Sequence, residues 1–203
     1  MYSPLFNTIF VHIPKTGGQS VERIFLEKHG LKWKTRDALL LRHNDDRKLG
    51  PAQLAHLFAR EYVELGHVTP EVFNACFKFA IVRNPYDRAI SLFRYHPPRQ
   101  TPDFREYVAL LEKRMQMRHA VPQARFVLDS SGRMMVDTIL RLETLRADLA
   151  AVTQRIFGEA VEPPHVNKSK KPIPPEASDP ELRRRLYKIY EEDFDLFGYS
   201  KDT

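Results

Sequence analysis

The sequence predicts an α/β fold: an open, mainly parallel sheet flanked by helices, in a single domain spanning residues 1–203. Three observations lead there. Two runs, "NTIFVHI" (Asn7 to Ile13) and "FKFAIV" (Phe77 to Val82), are apolar and rich in β-branched and aromatic residues, as buried strands are. Each passes through a Gly- or Pro-marked turn into a helical pattern, and strand–turn–helix units in series build parallel sheets. With 42% hydrophobic residues over 203 positions, the chain can also bury a sizeable core.

The elements follow in order. After the first strand and its loop, Val21, Ile24 and Phe25 share a helical face that Gly30 should end. Residues 31–50 are charged and irregular. Pro51 to Phe58 reads as a short helix opened by its proline, and "YVELGHV" (Tyr62 to Val68) as a short strand. Beyond the Phe77–Val82 strand, Asn84 can cap a helix whose first residue is Pro85. Phe104, Tyr107, Val108, Leu111 and Met115 then form one apolar helix face. Val136 to Glu143 reads as a strand. Leu145, Leu149, Val152 and Ile156 form a helix stripe ended near Gly158, and a last helix starts at Asp179–Pro180 and runs to about Phe194. The Pro- and Lys-rich stretch 162–175 reads as a loop. Sheet order is not legible.

A net charge of +6 favours an anionic partner without choosing among nucleic acid, an acidic glycan and a phosphorylated nucleotide. The single cysteine, Cys76, excludes an intramolecular disulfide and a thiolate zinc site, and its setting in "NACFKFAIV" reads as a buried structural thiol. No run approaches the roughly 18 apolar residues of a membrane span. The first residues lack the basic and apolar regions of a signal peptide, so a cytoplasmic location is expected.

Two motifs carry the chemistry. In "FVHIPKTGGQS", Lys15, Thr16, Gly17, Gly18, Gln19 and Ser20 lie between strand and helix. In open α/β sheets ligands bind at the carboxyl ends of strands, and a helix N-terminus there offers N–H groups and about half a positive charge to an anion. The two glycines permit close backbone approach, Lys15 adds a charge, and Thr16 and Ser20 add hydroxyls. The order differs from the nucleoside-triphosphate loop, whose lysine follows the second glycine; here Gln19 stands in that place. The second motif, "VRNPYDRAISLF", sets Arg83 at a strand mouth and Ser91 about two helical turns further on, placed to take a second phosphate. The plainer reading of that junction leaves Asp87 and Arg88 solvated.

Taken together, "HIPKTGGQS" and "VRNPYDRAISLF" resemble sulfotransferases that use 3′-phosphoadenosine 5′-phosphosulfate (PAPS), with a nucleotide-loop-like α/β fold. Within these, the chain is similar to the carbohydrate-acting branch of heparan sulfate 2-O- and 6-O-sulfotransferases, chondroitin sulfotransferases and small bacterial relatives. "RLETLRADL", "PHVNKS" and "IYEEDFDLFGY" extend the likeness over most of the chain. The resemblance implies that Lys15 to Ser20 hold the 5′-phosphosulfate, that Arg83 and Ser91 hold the 3′-phosphate, and that no metal is used. Adenosine 3′,5′-bisphosphate would be the product and a saccharide hydroxyl the acceptor, with no nucleic acid and no integral membrane contact.

Transfer to a hydroxyl needs a base, a task suited to histidine. Of eight histidines, His67 in "ELGHVTPEVF" follows the expected second strand, and the family's similar Gly-His-Val segment carries its base. Lys15 would stabilise the leaving phosphate oxygen. His43 is a candidate for shaping the acceptor site. Asn167, Ser169 and Lys170 are weaker donor-binding candidates in a basic loop. His12, on the strand itself, is expected to pack or hydrogen-bond rather than react. The rival readings are a small-molecule kinase with a divergent phosphate loop and a non-catalytic nucleotide- or polyanion-binding module.

Overall fold

A four-stranded sheet positions everything that follows, in the order β1 (Tyr2–Ser3), β2 (Thr8–Val11), β3 (Phe77–Val82), β4 (Thr138–Arg141). The computed structural model describes residues 1–95, 103–113, 117–164 and 172–202. β1 is antiparallel to β2, whereas β2, β3 and β4 are mutually parallel, with Val11 opposite Ala80 and Val82 opposite Arg141. The sheet is therefore open and mostly parallel. Sequence reading missed only β1, whose two residues are too short for any periodicity to register.

The helices are α1 (Gly18–Lys28), α2 (Glu61–Glu64), α3 (Pro70–Ala75), α4 (Pro85–Tyr95), α5 (Phe104–Lys113), α6 (Ala124–Val127), α7 (Leu145–Phe157) and α8 (Pro180–Phe197). The described chain divides into two compact units, Met1–Val82 with Arg125–Val166, and Arg83–Ala124 with Asn167–Thr203. In the first, Phe10, Phe79, Ile81 and Leu140 of the sheet pack with Val21, Ile24 and Phe25 of α1 and with Leu145, Leu149 and Val152 of α7. Every residue of β2 is buried, as expected of a strand inside a parallel sheet. In the second unit, α4, α5 and α8 close on Tyr86, Leu92, Phe104, Tyr107, Leu186 and Tyr190.

Local signals set the helix ends. Asn84 Oδ1 accepts from Tyr86 N at 2.9 Å, and Asp179 Oδ1 accepts from Glu181 N at 2.9 Å, each just before the proline that starts its helix. Gly158 ends α7 in the left-handed conformation.

Two expectations are corrected. Pro51 to Phe58 contains only a 3-10 turn, Leu54–His56. Tyr62 to Val68 is not a strand: α2 covers its start and a turn its end. Glu61 accepts from Phe58 N at 2.8 Å at the start of α2, where a carboxylate is favourable, and Gly66 reverses the chain at φ 72°. Val68 N then bonds back to Tyr62 O. Cys76 is buried, as its neighbours implied, and burial pushes its thiol up from its ordinary range. Among the described residues no helix is long and apolar enough to cross a membrane.

Candidate active site

The first motif leaves the sheet at the carboxyl end of β2. Lys15 has φ 71° and Gly17 φ 84°, both left-handed, so the chain turns twice before α1 begins at Gly18. For a lysine that conformation costs on the order of 1–2 kcal/mol, a strain found mainly where function requires it. Gly17 is the N-cap of α1 and, having no side chain, makes no cap hydrogen bond to the first N–H groups of the helix. A Cβ on Gly17 would lie 2.7 Å from Leu142 Cδ1. Lys15 is half-buried and Gln19 exposed. Thr16 is fully buried and donates its hydroxyl to Ile13 O at 2.8 Å; Ser20 donates to Pro164 O at 3.2 Å. These hydroxyls shape the loop from within. Such a cradle fits a phosphosulfate.

Beside the loop His12, expected to pack or hydrogen-bond, does both, and its partner is Glu22, which sequence reading did not single out. His12, directly after β2, is 6% exposed, and Glu22 of α1 is 3% exposed. His12 Nδ1 and Glu22 Oε1 are 2.5 Å apart. Burial pushes the Glu22 carboxyl up, but the charge and hydrogen bond of His12, with the N-terminal amine and Arg36, outweigh it and hold the carboxyl below its ordinary range. The His12 ring stacks on Phe10, and His56 stands edge-on to it at 4.6 Å while donating Nδ1–H to His12 O at 2.9 Å. The signal was present: His12 and Glu22 both bracket the glycines, and Glu22 lies one helical turn beyond Gly18.

In the second unit Arg83 is half-buried, and its backbone is gripped on both sides. Arg83 N donates to Gln123 Oε1 at 2.9 Å, and Gln123 Nε2 donates to Arg83 O at 2.8 Å and to Asp193 Oδ2 at 3.3 Å. Asp193 also accepts from Ala124 N at 2.8 Å. Burial pushes the Asp193 carboxyl above its ordinary range, against the pull of Arg88 and of those N–H groups. Arg88 is not solvated: it is 1% exposed and donates to Val121 O and His119 O at 3.0 and 2.9 Å. Ser91 is half-buried on α4. Gln123 and Asp193 lie 40 and 110 residues beyond Arg83, so no spacing rule could have found them.

His67 sits in the turn after α2 rather than at a strand end. It is half-buried, and its Nε2 bonds Leu49 O at 2.8 Å. Since a carbonyl only accepts, Nε2 carries the proton in the neutral ring and Nδ1 keeps the basic lone pair. Leu49 belongs to a loop clamped by Asn44, whose Nδ2 donates to Asp46 O, Gly50 O and Pro51 O. His43 opens the same loop, exposed, with Nε2 2.9 Å from Asp45 Oδ1 and Nδ1 3.2 Å from Gln53 Nε2. Sequence reading missed Asn44, although its place between "H" and "DD" marks it as a turn residue.

Asn167, Ser169 and Lys170 fall outside the described residues. Among the described residues no three His, Cys, Asp or Glu side chains are grouped to hold a metal. A family model described as "Sulfotransferase family" matches residues 1–200, which spans both units. No curated protein and no solved structure matches the chain.

Proposed function

The chain belongs to the sulfotransferase family, a PAPS-dependent enzyme family whose acceptors are hydroxyl-type groups, and we propose that it sulfates a saccharide with His67 as base and Lys15 at the leaving phosphate. The observation that carries the donor reading is the loop itself: an α1 N-terminus without a side-chain cap, fronted by Lys15 and Gly17 in left-handed conformations. The two-motif resemblance to glycan sulfotransferases and the net charge of +6 support a polyhydroxylated, often acidic acceptor.

In this reading residues 15–20 hold the 5′-phosphosulfate, with Arg83 and Ser91 as ligands of the 3′-phosphate. The bound donor supplies a sulfuryl group whose sulfur–oxygen bond to phosphate breaks as the bond to the acceptor oxygen forms. His67 takes the acceptor's hydroxyl proton on Nδ1, the nitrogen that its bond to Leu49 leaves as the acceptor. Lys15 faces the negative charge that grows on the phosphate oxygen, and losing such a donor costs on the order of a hundredfold or more in rate. His43, on the loop that orients His67, is placed with the acceptor.

Calorimetry with adenosine 3′,5′-bisphosphate, ATP and ADP, without metal and again with magnesium, tests the donor. The 3′-phosphorylated nucleotide should bind most tightly; preference for ATP, with a requirement for magnesium, would overturn the reading in favour of a kinase. His67→Ala should keep nucleotide affinity and lose transfer, and undiminished transfer would remove His67 as the base.

A further inference from the structure

Arg83 lies between the last residue of β3, Val82, and Asn84, the cap of α4. Its two backbone groups are both taken by one side chain. Gln123 Oε1 accepts from Arg83 N at 2.9 Å, and Gln123 Nε2 donates to Arg83 O at 2.8 Å. The amide thus pairs with residue 83 as one antiparallel strand pairs with another. Gln123 is 0% exposed, and a buried amide is costly unless its groups are bonded. Its Nε2 also donates to Asp193 Oδ2 at 3.3 Å, while Asp193 Oδ1 accepts from Ala124 N at 2.8 Å. All of these residues belong to one compact unit.

Asp193 is also 0% exposed, and a buried carboxylate seldom adds stability over an apolar side chain of its size. What it does supply here is orientation. An acceptor at this point fixes which end of the Gln123 amide is the NH2, and so which end meets the Arg83 N–H. Turned over, that amide would set N–H against N–H and oxygen against oxygen at residue 83. Arg88, from the same motif as Arg83, steadies the segment that brings Gln123 back, through Val121 O at 3.0 Å and His119 O at 2.9 Å. α8 leaves helical geometry at Tyr190 (φ −115°, ψ 21°), a turn before Asp193. The two arginines of the motif therefore differ in kind. Arg88, 1% exposed, serves the fold, whereas Arg83 stands half-buried at the mouth of β3.

We propose that Gln123 and Asp193 are positioning residues for the 3′-phosphate of the donor, fixing the Arg83 backbone before the nucleotide arrives so that its guanidinium meets that phosphate without further ordering. The proposal rests on the reading of Arg83 as a 3′-phosphate ligand. A guanidinium–phosphate contact is directional, and an arginine is long, so looseness at its Cα is magnified at the fork. Supporting groups behind a ligand residue typically change affinity by about tenfold or more. Slackening the clamp acts on the 3′-phosphate and spares the 5′ end, which residues 15–20 hold. A clamp that only stabilised the fold would show no such selectivity.

Titration calorimetry of the full chain with adenosine 3′,5′-bisphosphate and with adenosine 5′-monophosphate reads the 3′-phosphate contribution as the ratio of two affinities. Asp193→Asn is nearly isosteric but cannot accept from both Ala124 N–H and Gln123 Nε2–H, so it slackens the clamp. It should lower bisphosphate affinity about tenfold and keep monophosphate affinity within about twofold. Arg83→Ala keeps the backbone bonds to Gln123, and in that background Asp193→Asn should lower bisphosphate affinity no further. Equal loss for both nucleotides, an unchanged ratio, or a full second loss in the Arg83→Ala background overturns the positioning role while leaving Arg83 as a ligand. Should Asp193→Asn fail to fold, hydrogen exchange of the wild type without nucleotide decides. Exchange of Arg83 N–H as slow as that of β3 supports a clamp set in advance, and fast exchange overturns it. A wild type that binds the two nucleotides equally overturns the 3′-phosphate reading of Arg83, and the clamp's role with it.

Discussion

Gly18→Ala isolates the close contact on which the loop is built. The backbone at Gly18 is helical, so alanine is conformationally allowed and would ordinarily stabilise a helix residue by up to about 1 kcal/mol. The obstacle is His12. An alanine Cβ would sit 2.2 Å from Cδ2 and 2.4 Å from Nε2, more than an ångström inside ordinary contact. The ring cannot easily yield, since it is tied to Glu22 at 2.5 Å, stacked on Phe10 and flanked by His56. Overpacking a fixed site costs about 1–3 kcal/mol, and swinging the ring out would break a buried pair at about 3–5 kcal/mol. The cheaper route governs, near its upper limit given the overlap. After the helix gain, a net loss of about 2 kcal/mol remains, or roughly 4–8 °C in Tm for a chain of this length. Thermal and urea unfolding of four proteins would measure it: wild type, Gly18→Ala, His12→Ala and the double variant. With His12 reduced to alanine, Gly18→Ala should become neutral or stabilising, a coupling of about 2 kcal/mol. An equal effect of Gly18→Ala in both backgrounds would refute the account.

Two further outcomes follow from buried polar groups. Gln123→Leu removes the partner of Arg83 N–H, of Arg83 C=O and of one Asp193 oxygen; it should cost about 2–5 kcal/mol in urea unfolding, and a loss under 1 kcal/mol would show that the clamp is dispensable. Glu22 is held below its ordinary carboxylate range, so the stability it contributes is present above its unfolded value, near 4.5, and is lost as pH falls through its folded value. Glu22→Gln should therefore flatten the acid limb of the stability profile. Asp193, pushed up by burial, acts in the opposite sense, its stabilising contribution declining as pH rises above its unfolded value near 3.8; an unchanged acid limb in Glu22→Gln would show that Glu22 is not a principal acid-sensitive group.

What the sequence determined by itself was local. The run Phe77–Val82 became β3 residue for residue, because five apolar positions interrupted only by Lys78, between a capped helix end and an Asn-Pro signal, leave few alternatives. Asn84, Asp179 and Gly158 acted as their chemistry dictates within a turn of their own position. The order of Lys15 before both glycines likewise marked the donor class, and the family match agrees with it. What only the tertiary structure decided depends on partners far along the chain. Tyr62 to Val68 is too short for period to separate strand from helix, and the start of α2 is set by Glu61 on Phe58 N, with Tyr62 buried against Phe10 O. His67 is oriented by a carbonyl 18 residues away, and Arg83 by Gln123 at 40. His12 was legible as a strand-end histidine that packs or hydrogen-bonds, but not as the partner of Glu22 filling the space of a missing Cβ. A residue's identity states which bonds it can make, and burial decides which it must make; burial is a property of the packed chain.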